Sequence, residues 1–444
     1  MKTTIDQLYQ LYLQHPVIST DTRKILPGSL FFALKGDKFD ANTFAKKAVE
    51  AGAAYAVIDN PEHATGEKFL LVDDVLSALQ NLAAHHRRQL TIPVIGLTGT
   101  NGKTTTKELI NAVLSQKFNT LATQGNLNNH IGVPLTILTI DSSHQMAVIE
   151  MGANHQKEIE LLCTIAQPTH GLITNVGKAH LEGFGGVEGV KKGKGELYDY
   201  LLKSGSRVAF VNSDDKTLLE MQEARGLKNV VYYGKNGNAN NLVSGKLLDN
   251  SPLLTFKWHD KKSSSHNVKS QLTGSYNLDN ILAAACIGSF FGLDSDEINQ
   301  GIEGYQPKNN RSQITKTATN TLICDFYNAN PSSMFVAIEN MDKVQANHKV
   351  MILGDMFEMG AESAVEHTAV IEKAMSANVD ERIFIGKDFS SQQTEVANTN
   401  LINTTFYMTA EDAIIGLKTT PITNATILIK GSRGMALERL VELF

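Results

Sequence analysis

Gly99-Thr100-Asn101-Gly102-Lys103-Thr104-Thr105 places two glycines, a lysine and adjacent threonines within seven residues. Those residue types in that order suit phosphate. The glycines let the backbone curl so that successive N–H groups converge on phosphate oxygens, Lys103 can reach the terminal phosphates, and the Thr104 hydroxyl can ligate magnesium. Two residues separate the glycines, where the commoner nucleotide-hydrolase loop has four, so the flanking context has to carry the assignment. Pro93-Val94-Ile95-Gly96-Leu97 reads as a short buried strand, and Lys107 to Leu114 repeats apolar residues at helical spacing. A strand, the loop, and a helix with its positive N-terminal end toward the ligand together make a nucleotide site.

Other groups could complete it. Glu150 ends the apolar run Met146-Ala147-Val148-Ile149, where a carboxylate either joins Thr104 and phosphate oxygens around magnesium or serves as a solvated or helix-capping acid. His180, in Asn175-Val176-Gly177-Lys178-Ala179-His180, is either a structural histidine or a contact to metal or phosphate. Lys191, Lys192 and Lys194 fall on a helix expected over Val190 to Leu201, and taken alone such a cluster is a solvated face. In the polar loop Asn126-Leu127-Asn128-Asn129-His130 the asparagines read a ligand or satisfy the loop's own backbone.

Three α/β domains are expected to position these groups. Residues 1–88 read as a small α/β domain with strands at Leu30 to Leu34 and Ala54 to Ile58, a helix from Ala45 to Ala51 closed by Gly52, and a helix from Val75 to Gln89 leading onward. Residues 89–306 alternate strands and helices in a phosphate-loop ATPase-like domain built on a parallel sheet. Its runs Met146 to Glu150, Gly171 to Asn175 and Val208 to Asn212 each end in a polar residue. In a parallel sheet those ends gather at the carboxyl edge, where open α/β folds bind ligands. The turn-rich stretch Gly304 to Asn310 then opens residues 307–444, whose strands Thr321 to Asp325, Lys349 to Leu353, Arg382 to Ile385 and Ala425 to Ile429 indicate a Rossmann-like doubly wound domain. The polar stretches 235–241 and 261–265 read as surface turns.

The 444 residues exceed one core, and domains of roughly 100–200 residues make three the expected number. Forty-one basic and forty-six acidic residues give a formal charge of −5 without long runs, which argues against nucleic-acid or membrane-surface partners. Cys163, Cys286 and Cys324 lie far apart and read as buried free thiols of a reducing compartment. Met1 to Asp6 begins an amphipathic helix rather than a signal segment, and no apolar stretch is long enough to span a bilayer. The expectation is a cytoplasmic chain, with no reason in its mixed surface to be more than a monomer.

Taken together, these residues resemble the Mur ligases, the ATP-dependent amide-forming enzymes of peptidoglycan precursor synthesis. The phosphate loop, Glu150, His180 and Lys194 stand in the order and spacing of that superfamily. Within it, Asn126 to Pro134, Glu150-Met151-Gly152-Ala153, Tyr327-Asn328-Ala329-Asn330-Pro331, Leu353 to Gly360 with His367, and Lys430-Gly431-Ser432-Arg433-Gly434-Met435 are similar to the branch that joins D-alanyl-D-alanine to UDP-N-acetylmuramoyl-tripeptide. The resemblance covers essentially the whole chain.

The resemblance implies roles that spacing alone does not. Lys103 with Gly99, Thr100, Asn101, Gly102 and Thr105 would hold the ATP phosphates. Thr104 and Glu150 would hold one Mg2+, and His180 with Glu150 a second. Lys194, four residues before Tyr198, matches the lysine that the superfamily carbamylates. Asn277 and Asn280 match its adenine side, Arg311 its γ-phosphate contact and Asp325 its ribose contact. Asp21, Thr22 and Arg23 match the uridine-side motif, while Asn128, Asn129, Asn328 and Asn330 fall in substrate-binding segments. Without the resemblance, Asp21 and Arg23 read as a surface ion pair. Tyr276 stands where the family has histidine, Thr22 where it has serine, and Asp40-Ala41-Asn42 where it has Asp-Gly-His. The C-terminal domain would close over the site about a hinge near Pro307. Rival readings are another ligase of the superfamily such as a folylpolyglutamate synthetase, a non-catalytic nucleotide-binding scaffold, and a generic phosphate-loop ATPase.

Overall fold

Three sheets rich in parallel strands follow one another along the chain. The computed structural model describes residues 2–444 apart from 37, 204, 251–252, 262–264, 309 and 396–400. Met1, Asn309 and most of the expected turn at 261–265 thus lie outside the described residues.

The first sheet is wholly parallel, in the order Ile18–Ser19, Leu30–Phe32, Tyr55–Ile58, Phe69–Leu71. Leu30, Phe31 and Phe32 are all buried, as continuous apolar strands covered on both faces must be. The second sheet has nine strands. From one edge they are His266–Lys269, Thr255–Asp260, Asn241–Asp249, Val230–Gly234, Val208–Asn212, His170–Ile173, Val94–Thr98, Met146–Glu150 and Thr120–Ala122. The seven from Asn241–Asp249 to the Thr120–Ala122 edge pair in parallel, and the other two are added antiparallel. That antiparallel extension was absent from the sequence reading. The third sheet has the order Gln313–Lys316, Thr321–Asp325, Thr426–Lys430, Lys349–Gly354, Glu381–Ile385, Thr404–Tyr407, parallel except at its first strand.

The helix Val75–Gln89 does more than lead out of the first unit. Its Val75, Leu79 and Leu82 belong to one apolar core with Leu30 of the first sheet, with Ile149 of the second, and with Val133 and Ile165 on helices of the central unit. Polar contacts lock the same joint. His86 meets the Ile140 carbonyl at 2.7 Å, Arg87 donates to the Ala166 carbonyl at 3.0 Å, and Tyr12 donates to the Leu138 carbonyl at 2.7 Å. By contrast, the buried apolar clusters of the third unit contain only residues from Leu322 onward.

Asn42, at the position where the chain departs from the motif of the family it resembles, is fully buried. Its amide donates to Asp40 at 2.7 Å and Asp59 at 2.8 Å, and its oxygen accepts from the Asp59 and Asn60 backbones at 3.0 and 3.3 Å. Asp59 also accepts from the Val75 backbone at 3.2 Å, so Asn42 ties this sheet to the shared helix. Asn42→Ala leaves several buried partners unpaired and is expected to destabilise the chain by about 2–4 kcal/mol. A denaturant titration checks this, and kcat measured on the folded fraction should stay near the parent value.

Candidate active site

The central sheet reverses its winding at Val94–Thr98. From that strand the chain runs out to the edge strand Thr120–Ala122, returns to Met146–Glu150 on one side, and crosses to His170–Ile173 on the other. Open α/β sheets bind ligands in the crevice that such a reversal leaves beyond the strand ends. Here that crevice is a cleft of about 1350 Å³ bordered by residues of all three units, from Leu76 and Gln80 to Lys430 and Arg433. The phosphate loop follows the central strand, Glu150 ends its neighbour on one side, and Asn175 follows its neighbour on the other.

Gly99 and Gly102 take φ of 148° and 78°. A Cβ at Gly99 would overlap the Thr174 hydroxyl, and one at Gly102 would approach Asn280 Oδ1 to 2.7 Å, so glycine is required twice over. Asn175 clasps the loop, its side chain accepting from the Asn101 N–H and donating to the Asn101 carbonyl, both at 3.0 Å. Lys103 opens the helix Lys103–Leu114, and its Nζ donates to the Gly99 and Thr100 carbonyls at 2.8 and 3.0 Å. Desolvation in the cleft pushes its amine down to about 8 against the pull of Glu150, with the Arg311 charge adding to the depression.

Glu150 is 1 % exposed, and its carboxylate accepts from the Thr104 hydroxyl at 2.9 Å and from Asn128 Nδ2 at 2.9 Å. The two asparagines of the polar loop therefore divide. Asn128 orients Glu150, whereas the Asn129 oxygen accepts from the Ile131 and Gly132 backbones at 3.1 and 2.9 Å. Lys194 is not on a solvated face, contrary to the reading of the cluster taken alone. It is 2 % exposed, donates to the Ala153 carbonyl at 3.1 Å, and lies 4.9 Å from the Phe184 ring centre. Burial and, after it, the Lys103 charge hold its amine well below the usual lysine range.

His180 borders the cleft at a φ of 50°, and its Nδ1 meets the carboxylate of Glu358, a residue of the third unit at a φ of 62°. Non-glycine residues at positive φ store backbone strain that surrounding contacts must hold, as this cross-unit pair does. The same boundary carries further bonds. The Lys178 backbone donates to Ser332 Oγ at 2.8 Å, Lys178 Nζ meets Glu366 at 2.5 Å, and Asn330 Nδ2 donates to Asn101 Oδ1 at 2.9 Å.

Several expected ligand contacts are committed to other protein groups. Asn277 donates to the Thr273 carbonyl at 2.7 Å and accepts from Asn280 at 2.8 Å, while Asn280 accepts from the Thr106 hydroxyl at 3.0 Å. Together they brace the phosphate loop from behind. Asn330, besides reaching Asn101, caps the helix Pro331–Lys343 through the Ser333 N–H at 2.9 Å. Asp325 accepts from Lys430 at 2.7 Å and from the Ser312 N–H at 3.2 Å. Tyr276 reaches the same Ser312 through a 2.5 Å hydroxyl contact. Arg311 keeps a buried Nε with no partner and lays its guanidinium 3.8 Å from the Tyr327 ring centre. Asn328 lines the cleft. Asp21 and Arg23 pair with each other at 2.7 Å on the first unit, Asp21 capping the short helix that Thr22 begins, and none of the three borders the cleft.

Sequence reading passed over Glu358, Lys178, Ser332 and Glu366. Each meets its partner more than 150 positions away in the chain, and no local spacing announces such a pair.

Comparison with known proteins places this geometry among relatives. Residues 16–93, 97–288 and 310–433 match models for the Mur ligase family catalytic domain, the Mur ligase middle domain and the Mur ligase glutamate ligase domain. The chain is 37 % identical over 433 residues to the UDP-N-acetylmuramoyl-tripeptide--D-alanyl-D-alanine ligase of Escherichia coli (strain K12), covering 96 % of this chain and 92 % of that one. Among solved structures, MurF from Acinetobacter baumannii superposes with a TM-score of 0.88 at 33 % identity, covering 100 % and 98 % of the two chains. MurF ligase from Thermotoga maritima in complex with ADP gives 0.82 at 25 % identity, covering 96 % of each.

Proposed function

The chain belongs to the Mur ligase family, and from that premise we infer that it is the ATP-dependent ligase joining D-alanyl-D-alanine to UDP-N-acetylmuramoyl-tripeptide, releasing ADP and phosphate. Its product is the pentapeptide precursor of peptidoglycan. One observation carries the reading: phosphate loop, buried Glu150 and the loops of the third unit border a single cleft of about 1350 Å³. That exceeds the roughly 300–1,000 Å³ of a pocket for one small ligand, as a three-substrate reaction requires. We assign residues 1–88 to the uridine-linked substrate, 89–306 to ATP and 307–444 to closure and the acceptor. One chain supplies every assigned residue, so a monomer suffices.

The tripeptide's terminal carboxylate attacks the γ-phosphorus of ATP. The bond to ADP breaks, and a C–O–P linkage forms an acyl phosphate. The loop N–H groups and Lys103 face the charge that builds on the phosphoryl oxygens. The dipeptide's free amine then attacks the activated carbonyl carbon, loses a proton, and displaces phosphate to leave an amide. Water would hydrolyse the acyl phosphate, and the polar contacts from Lys178, His180 and Asn101 to the third unit close the cleft on that side.

Magnesium fits the donors present. Thr104 and Glu150 supply hard oxygens 2.9 Å apart, with His180 on the same cleft. Among the described residues no three His, Cys, Asp or Glu side chains form a self-contained cage, which suits an ion that keeps waters and substrate phosphates in its shell. We assign one Mg2+ to Thr104 and Glu150 and a second to Glu150 and His180. Bound there, the ions would neutralise phosphate charge. Lys194, whose amine burial holds well below the usual lysine range, would add carbon dioxide to become an anionic oxygen ligand. A cytoplasmic location accords with three buried free thiols and an ATP-consuming reaction. No helix among the described residues is long and apolar enough to cross a membrane.

The test is phosphate release from ATP with muramoyl tripeptide and D-alanyl-D-alanine added singly and together. Release that needs both, with a pentapeptide product mass, is expected. Release with ATP alone would indicate an ATPase, and none with both would point to a different acceptor.

A further inference from the structure

Glu358 stands out on the cleft because its own unit gives its carboxylate no polar partner among the described residues. The three residues before it are pinned. Asp355 accepts from the Asp388 and Phe389 N–H groups, both at 3.0 Å, the Met356 N–H donates to His367 Nε2 at 3.0 Å, and the Phe357 N–H donates to Ser432 Oγ at 2.9 Å. His367 is fully buried and is held in turn by the Ser363 carbonyl at 2.8 Å from its Nδ1. The chain then passes through positive φ at Glu358 and Gly360, 62° and 53°. A Cβ at Gly360 would stand 3.2 Å from Glu182 Cβ, so glycine lets this turn lie against the short helix Leu181–Phe184 that begins just after His180. The result is a braced loop that carries one side chain across the boundary between units.

What that side chain meets is His180 Nδ1. A carboxylate only accepts, so the contact places the ring proton on Nδ1. Among the described residues nothing bonds Nε2, the opposite nitrogen. The pair sits where the main cleft adjoins a smaller cavity of about 170 Å³, and both residues border each space. Side-chain exposure of 24 % for His180 and 55 % for Glu358 leaves the contact open to solvent on one side. Such an ion pair stabilises little. It does not by itself account for left-handed backbone at both partners, and strain of that kind collects where function needs a fixed geometry.

We propose that Glu358 is a positioning residue for metal binding: reaching over from the third unit, it fixes the His180 proton on Nδ1 and keeps the Nε2 lone pair free for the second Mg2+. The proposal rests on the assignment of that ion to Glu150 and His180. A metal-binding histidine ordinarily donates its other N–H to a carboxylate or carbonyl, which sets both tautomer and ring orientation. Here the carboxylate belongs to a different unit from the ligand it serves. With the third unit undocked, the proton is free to occupy Nε2 and the ring loses the contact that orients it. Linkage runs both ways, so the docked loop favours the ion and the ion favours the docked loop by the same factor. The metal set is then completed only beneath the closed third unit, where water is excluded.

The experiment measures Mn2+ binding by electron paramagnetic resonance to the full chain carrying a non-hydrolysable ATP analogue, a readout that needs no turnover. The parent chain is expected to bind two ions, and His180→Ala only one. Glu358→Ala should weaken the second ion roughly 10–100-fold and leave the first unchanged. Glu358→Gln, whose amide oxygen can still accept from Nδ1, should fall between. Glu366→Gln removes charge from the Lys178 contact across the same boundary without touching His180, and should stay within about fivefold of the parent. A second readout needs no metal: nitrogen NMR of the histidine-labelled chain, with the His180 signal identified by its loss in His180→Ala, should show the Nδ1–H form in the parent and not in Glu358→Ala. Parent-like metal binding or an unchanged His180 signal in Glu358→Ala overturns the proposal. So does an equal loss of metal in Glu366→Gln, because Glu358 would then act only by holding the units together. A parent chain that binds one ion, or a His180→Ala chain that still binds two, overturns the metal assignment itself and the proposal with it.

Discussion

Lys194→Ala is expected to lower kcat by roughly 10³ or more, the scale on which removing a preorganised electrostatic group slows a reaction. Lys194 is an interior group whose ammonium form is destabilised by burial and by Lys103. The neutral amine is the form that adds carbon dioxide, giving a carbamate and a proton. Sign follows from that: the depressed amine stays reactive at pH values where a solvated lysine is protonated, and the modification is lost as pH falls through the lowered value. Three readouts bear on it. The parent chain freed of carbon dioxide should lose turnover and regain it with bicarbonate, intact mass should rise by one carbon dioxide on the peptide holding Lys194, and Lys194→Ala should show neither response. Lys194→Gln keeps most of the side-chain length beside Phe184 and separates lost chemistry from lost packing. Full activity in Lys194→Gln would sink the assignment.

Lys103→Met should cost about 3–4 kcal/mol in kcat/KM for ATP, a loss of roughly 10²–10³-fold. The amine is already placed, donating to two carbonyls of its own loop, so little reorganisation is needed to turn it toward phosphate. Its amine at about 8 adds a pH signature. Above that value the amine is increasingly neutral in the chain alone, whereas phosphate oxygens favour the ammonium. ATP affinity should therefore decline as pH rises through about 8, with proton uptake on binding. Calorimetry in buffers of differing ionisation enthalpy measures that uptake, and Lys103→Met should abolish it. A pH-independent affinity between 7 and 9.5 would contradict the assignment.

How much of this could be read from the chain follows from the range of the physics involved. The phosphate loop was legible because strand, glycines, lysine and helix are contiguous. Parallel strands such as Met146–Glu150, Val208–Asn212 and Lys349–Gly354 announced themselves as apolar runs, whereas Thr120–Ala122, Val230–Gly234 and Thr404–Tyr407, equally parallel, were passed over. The antiparallel strand Thr255–Asp260 carries a different signal, with Phe256 and Trp258 buried and Lys257 and His259 exposed, and a search for continuous runs passes over it. Composition alone sent Lys194 to the surface, because lysine is rarely buried, and the family resemblance rather than spacing singled it out. The double contact on Tyr327 joins residues 311, 327 and 433, which only the returning strand Thr426–Lys430 brings together.

The unequal joints between units also bear on how the molecule comes apart. The first two share an apolar core through Val75–Gln89, whereas the buried clusters of the third contain none of their residues. Cooperativity follows continuous apolar packing, and hydrogen-bonded seams open at lower free energy than cores. The chain should therefore melt as two foldons rather than three, the last 138 residues exchanging amide hydrogens on their own schedule while the first 306 protect one another. Nucleotide bridging the seam would merge those transitions, so that substrate occupancy governs the unit of unfolding as well as the chemistry.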